Sequence, residues 1–233
     1  MVGMNVAEPF ALPLFLNKRN KALTGWIVAL GATIVYLSSN HIHLFTPRPL
    51  PMWAIDEAIP FWPQTVWIYL GEYAAIFILF MMSDDDINAN KFVYSFASLQ
   101  VVCGAIFVLW PTTYPRDLYA LPPDVDSLTR SVLSSLRQID TPANCCPSLH
   151  VASIYLPALI FLKEQREKFP LVFALATVIA LSTLTTKQHY IIDVLLGIVM
   201  AVVLYWIFNV AVRYRPLPQR REALAQCGEV GVG

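Results

Sequence analysis

The sequence predicts an all-α protein, a polytopic membrane bundle of six transmembrane helices, and three observations carry that prediction. Of 233 residues, 57% are hydrophobic and only 14% charged, and the mean hydropathy is +0.56. A soluble domain of this size needs more charge to cover its surface. Six mostly apolar segments, at 22–39, 64–82, 93–111, 148–163, 169–186 and 190–212, approach the ~20 residues that cross a hydrocarbon core of roughly 30 Å. Finally, the polar residues capable of chemistry gather at one end of these segments instead of being scattered along them.

The first segment follows Lys18-Arg19-Asn20-Lys21 and is followed by no small-residue cleavage site. It therefore reads as a retained helix and not as a removed signal. The fourth is short, but its start at Pro147 and its partly polar outer end fit a helix that begins in protein instead of lipid, and Pro157 within it would bend it. The chain divides into an N-terminal segment 1–21, a membrane domain 22–212 and a tail 213–233.

Basic residues set the orientation, since they favour the cytoplasmic loops. Lys18, Arg19, Lys21, Lys91, Lys163, Arg166, Lys168, Arg213, Arg215, Arg220 and Arg221 fall on one side, and Arg48, Arg116, Arg130, Arg137 and Lys187 on the other. Eleven against five predicts cytoplasmic termini and an outer or periplasmic position for the long connection 112–147. Long connections in compact folds usually carry function.

A net charge of zero supplies no field for nucleic acid, so the expected partners are the bilayer and a membrane-borne substrate. Cys103, Cys145, Cys146 and Cys227 match no zinc or disulfide framework. Cys145 and Cys146 read as packing thiols, with a strained vicinal disulfide as the alternative, and Cys103 as an apolar filler. Asp84-Asp85-Asp86 reads as a cytoplasmic acidic turn without metal partners. Glu72 stands inside the second segment, where ionisation at the helix centre costs roughly 2.5–3.5 kcal/mol, and reads as a hydrogen-bonding group near the interface, with contact to a neighbouring helix or to a substrate amine as the alternatives.

Three stretches converge on the outer face: Pro111-Thr-Thr-Tyr-Pro-Arg116, Cys146-Pro-Ser-Leu-His150, and Ser182 through Asp193. Pro147 suits the first position of a helix. The unpaired N–H groups after it, with the Ser148 hydroxyl, would form an anion site at the positive end of the helix dipole. His150 in that first turn would offer a ring N–H to a leaving oxygen. His189 and Asp193 are four positions apart, the spacing of one helical face. The carboxylate would fix the imidazole tautomer and prepare its other nitrogen for attack on phosphorus. Arg116 and Lys187 would neutralise phosphoryl oxygens.

These residues resemble the type-2 phosphatidic acid phosphatase superfamily, a six-helix membrane bundle with a Pro-Ser-x-His motif and a later Ser-Arg-x5-His-x3-Asp motif. Pro147-Ser148-Leu149-His150 matches the first, and Ser182-Thr183-x5-His189-x3-Asp193 matches the spacing of the second. The resemblance implies His189 as a nucleophile forming a phosphohistidine, Asp193 as its orienter and His150 as general acid. Ser148 and Arg116 would bind phosphate, and no metal or other cofactor is implied. The family's Lys-x6-Arg-Pro motif is absent before His150, with Pro115-Arg116 as its remnant. Leu149 replaces a common Gly, and Thr183 stands where Arg is expected, a charge Lys187 would supply. Those departures look more like the branch containing inositol phosphorylceramide synthases. The expected activity is hydrolysis of a lipid phosphate ester. The alternatives are transfer of the phosphoryl head group to a lipid acceptor, or a non-catalytic bundle or transporter.

Overall fold

The computed structural model describes residues 11–83 and 85–216. Asp84, Arg220, Arg221 and Cys227, which figured above, lie outside the described residues. In chain order the elements are β1 (Ala11–Leu14), α1 (Lys21–His41), β2 (Arg48–Pro49), α2 (Ala54–Ala58), α3 (Val66–Met82), α4 (Asp86–Leu109), β3 (Thr112–Thr113), α5 (Ser127–Ile139), α6 (Leu149–Glu164), α7 (Phe169–Thr185), α8 (Ile191–Trp206) and β4 (Arg213–Pro216). The all-α expectation holds for the body of the molecule. Two short parallel strand pairs, β1 with β4 and β2 with β3, tie its ends together.

Among the described residues, four helical stretches are long and apolar enough to cross a membrane: Lys21–His41, Pro63–Met82, Asp86–Leu109 and Ile191–Ala211. α7 is a shorter apolar helix, and α6 has 16 residues. The shortness of α6 has a structural reason. It packs against α3, α4, α7 and α8 and is buried along nearly its whole length, from Leu149 to Phe161. A helix surrounded by protein meets no lipid and need not match the bilayer's thickness. The outer helices show the reverse pattern. Leu23, Trp26, Leu30 and Ile34 of α1, and Leu171, Val178 and Leu181 of α7, are exposed, a surface suited to hydrocarbon and costly in water.

Boundaries differ from the sequence expectation in two places. α4 begins at Asp86 instead of 93, because Asp85 caps it by accepting from the Asn88 amide at 2.7 Å. A polar first turn can therefore be helical without being apolar. The connection 112–147, to which no element was assigned, is partly helical. It holds α5, whose start is capped by Asp126 accepting from the Thr129 amide at 2.9 Å.

The starts of α6 and α8 are joined directly. The Ser148 amide donates to the Asp193 carbonyl at 2.9 Å. Gly197 allows the approach, since a Cβ there would lie 2.5 Å from the Ser148 carbonyl oxygen. This junction brings the two histidine motifs to one end of the bundle.

Candidate active site

Pro147 stands just before the first turn of α6 and not within it, a one-to-two-residue shift from the expected position. Ser148 is the N-cap, its hydroxyl accepting from the Val151 amide at 3.3 Å. The side chain is fully buried and is thus engaged in starting the helix that carries His150. A capping serine contributes about 1 kcal/mol to a helix terminus.

His150 lies in that first turn. Its Nδ1 pairs with the Glu72 carboxylate of α3, and its ring stacks on Tyr69 with centroids 3.8 Å apart and planes 12° from parallel. Tyr73 meets the same ring edge-on at 6.0 Å. His150 Nε2 has no hydrogen-bond partner among the described residues. Glu72 is thus a buried partner of a candidate-site histidine on a neighbouring helix, the alternative reading, and not an interfacial hydrogen-bonding group. A buried carboxylate is stable only when paired, and His150 supplies the pair.

His189 Nδ1 donates to Asp193 Oδ2 at 3.0 Å. The contact is as the spacing suggested, but its origin differs. α8 starts at Ile191, so His189 is held in the turn before it, with its amide donating to the Thr183 carbonyl at 3.2 Å. Asp56 of α2 fixes this turn from the other side, accepting from the Ile191 amide at 2.8 Å. Lys187 adopts a left-handed backbone, φ 54°, which is uncommon for a non-glycine residue. Its ammonium donates to the Asp56 carbonyl at 2.6 Å and sits 4.8 Å from the Tyr119 ring centroid. Burial lowers its basicity below the ordinary lysine value.

Arg116 is buried, not snorkelling. It pairs with Asp140 at 3.3 Å, donates to the Asp140 carbonyl, and reaches the Tyr114 hydroxyl at 3.2 Å. Asp140 also accepts from the Tyr36 hydroxyl, and from Asn40 of α1 at 3.2 Å. Cys145 and Cys146 are free thiols. Burial, with the Asp193 charge adding to it, pushes the Cys146 thiol up to about 12. It therefore remains protonated and a poor nucleophile.

A cavity of about 750 Å³ joins these groups. His150, His189, Glu72, Tyr69 and Asp140 line it; Ser148, Arg116 and Lys187 do not. Of the six residues expected to act, then, the two histidines face a common space and Asp193 stands behind one of them. Arg116 stands behind Asp140, Ser148 at the helix start, and Lys187 toward α2. Sequence reasoning missed Asp140 and Asp56 entirely. Among the described residues, no group of three or more His, Cys, Asp or Glu side chains gathers to hold a metal ion.

The sequence profile of the PAP2 superfamily matches residues 61–207. The chain belongs to that superfamily. The match runs from just before α3 through α8 and so contains Glu72, both histidines and Asp193, but not α1. Membership of the PAP2 superfamily points to phosphoester chemistry in a membrane setting. The chain is also similar to an uncharacterized protein of Methanocaldococcus jannaschii, 41% identical over 59 residues. That match covers 25% of this chain and 24% of the relative, so it adds nothing about the activity of either whole protein. No solved structure matches the chain.

Proposed function

We propose that this PAP2 superfamily member is an integral membrane lipid-phosphate phosphatase working through a phosphohistidine on His189. The observation that carries the reading is a pair of histidines on one cavity, each with Nδ1 held by a buried carboxylate. Each carboxylate fixes its imidazole's tautomer, steadies the cation and leaves Nε2 for chemistry.

In this reading the His189 Nε2 lone pair attacks phosphorus and the bond to the lipid oxygen breaks. His150 Nε2–H gives its proton to that oxygen, and the alcohol leaves. Water then attacks the phosphohistidine, surrenders a proton to His150, and phosphate departs with both histidines restored. Asp193 stabilises the His189 cation, and Glu72 does the same for His150. Ser148, Arg116 and Lys187, expected as phosphate ligands, act mainly as supports here. Ser148 starts α6, Arg116 neutralises Asp140, and Lys187 braces the His189 turn against α2.

A lipid alcohol in place of water would make the second half-reaction a transfer. The departures from the family motifs noted above favour keeping that second reading. A phosphate-release screen over lipid monophosphates, pyrophosphates and phosphodiesters, with and without diacylglycerol or ceramide, separates the two. Phosphate release without acceptor supports hydrolysis. Product formed only with acceptor supports transfer, and silence on every lipid would favour a non-catalytic bundle.

The reading also takes six helices as spans, the short α6 and α7 among them, with the histidines on the extracytoplasmic side and both termini inside, on the eleven-to-five distribution of basic residues. An impermeant thiol reagent applied to intact cells should label Asp124→Cys and spare Glu167→Cys. The opposite pattern reverses the orientation.

A further inference from the structure

We infer that the apolar groove between α1 and α3 holds a hydrocarbon chain of the lipid substrate and limits its length, an inference that rests on the active-site reading above.

The cavity does not end at the histidines. Its walls continue along α1 from Gly25 to Leu37 and along α3 from Tyr69 to Phe80. Gly25 and Tyr36 are eleven positions apart, as are Tyr69 and Phe80, so each wall runs roughly 17 Å at the helical rise. The chemistry along that length is strongly graded. Glu72, Asp140, His150 and His189 stand at one end, while Trp26, Ala29, Phe77 and Phe80 line the other. Thr33, midway, donates its hydroxyl to the Ala29 carbonyl at 2.9 Å, and the polar wall residues Gln100 and Ser153 bond to each other at 3.3 Å.

The far end is closed. A Cβ on Gly25 would lie 2.8 Å from the Phe80 ring and 3.2 Å from Phe77, and the Trp26 and Phe77 rings meet at 4.8 Å. The side is open. Trp26 is 64% exposed and Tyr73 60% exposed, so the groove faces what would be bilayer. A passage with reactive groups at one end, an apolar floor at the other and a lateral opening fits a single-chain segment of a lipid whose phosphate rests between the histidines.

Hydrocarbon gains little on moving from a bilayer into such a groove, because both surroundings are apolar. Selection here is therefore steric, and the small residues in the α1 wall, Ala29 and Ala32, leave the room. α1 lies outside the residues matched by the superfamily profile.

The test uses the full-length protein in mixed micelles and two readouts. The first is photolabelling by a long-chain alkyl phosphate bearing a terminal diazirine. Label should fall on peptides from 25–37 and 69–80, and Ala32→Trp or Ala29→Phe should remove it. The second is turnover of a long-chain and a short-chain monoalkyl phosphate. A bulky side chain in an apolar pocket discriminates by size, so the long-to-short ratio of kcat/KM should fall roughly ten- to a hundredfold in either variant. Retained short-chain turnover shows that the variant is folded. Label elsewhere, or an unchanged ratio in both variants, would overturn the channel while leaving the histidine chemistry standing. A wild-type protein that is labelled at these peptides but hydrolyses neither substrate overturns hydrolysis and supports the channel as a lipid-binding site.

Discussion

The two histidine–carboxylate pairs are alike in chemistry and opposite in construction. His189 and Asp193 are four residues apart and are joined across a turn and the first turn of α8. His150 and Glu72 are 78 positions apart and meet only because α6 packs against α3. The local pair survives any rearrangement that leaves the start of α8 intact. The assembled pair depends on the seating of α6, hence on Ser148, Gly197 and the backbone bond from Ser148 to Asp193. A nucleophile benefits from the first arrangement, because its tautomer is fixed before anything binds. A proton donor built across two helices sits between substrate and scaffold, and its acidity is set by a residue its own helix does not carry.

Replacing His150 tests the difference most severely after His189 itself. An alkoxide leaving from a lipid must be protonated, whereas p-nitrophenolate is a stable anion. His150→Ala should therefore lose about 10²- to 10⁴-fold on a lipid phosphate and far less on p-nitrophenyl phosphate. The variant leaves Glu72 buried without its partner, a loss of roughly 3–5 kcal/mol. The double variant with Glu72→Gln is therefore the control, judged by its gel-filtration profile in detergent. Equal losses on both substrates in the folded double variant would remove His150 from the proton-donor role.

The carboxylates sharpen the comparison at smaller magnitude. Charged hydrogen bonds contribute about 1.5–3 kcal/mol, so Glu72→Gln should slow lipid turnover some ten- to a hundredfold. Its effect on p-nitrophenyl phosphate should be slight. Asp193→Asn should slow both substrates alike, because it weakens the attacking group whatever leaves. If the two substitutions show the same leaving-group dependence, the pairs do not divide the work.

Gly197→Ala carries the smallest effect and probes the scaffold alone. Its methyl would meet the Ser148 carbonyl oxygen, and the shift required should cost about 1–3 kcal/mol. A lowered thermal midpoint in detergent, with a leaving-group dependence resembling that of Glu72→Gln, is the expected result. A fall in turnover that is equal on both substrates would mean that the junction supports both pairs equally.

What could be read from the sequence follows the same division. The helices were legible because apolar runs of spanning length have few alternatives, and the pair His189–Asp193 because its spacing is local. Even there the residues held to one contact while the local structure differed, since His189 precedes the helix. Glu72 was conspicuous as a lone carboxylate in an apolar segment, but nothing in sequence said which helix would face it. Arg116 was visible as a cation near the site, whereas its partner Asp140 sits 24 residues on, at the end of α5. That helix went unread because the connection 112–147 was read only as one long functional connection, with no element assigned inside it. Its capping aspartate and apolar positions Leu128, Val132, Leu133 and Leu136 were signals available in the sequence. Asp56, which anchors the His189 turn from α2, left no signal at all.

The most direct test of the central claim is to trap the covalent intermediate. Radiolabelled lipid phosphate is mixed with enzyme, quenched at alkaline pH on the timescale of a single turnover, and the labelled peptide is sequenced by mass spectrometry. The expected product is an acid-labile, base-stable phosphohistidine at His189, absent in His189→Ala together with all turnover. The label should still form in His150→Ala when p-nitrophenyl phosphate is the donor. A phosphoenzyme that persists in His189→Ala, or full turnover by that variant, contradicts the claim.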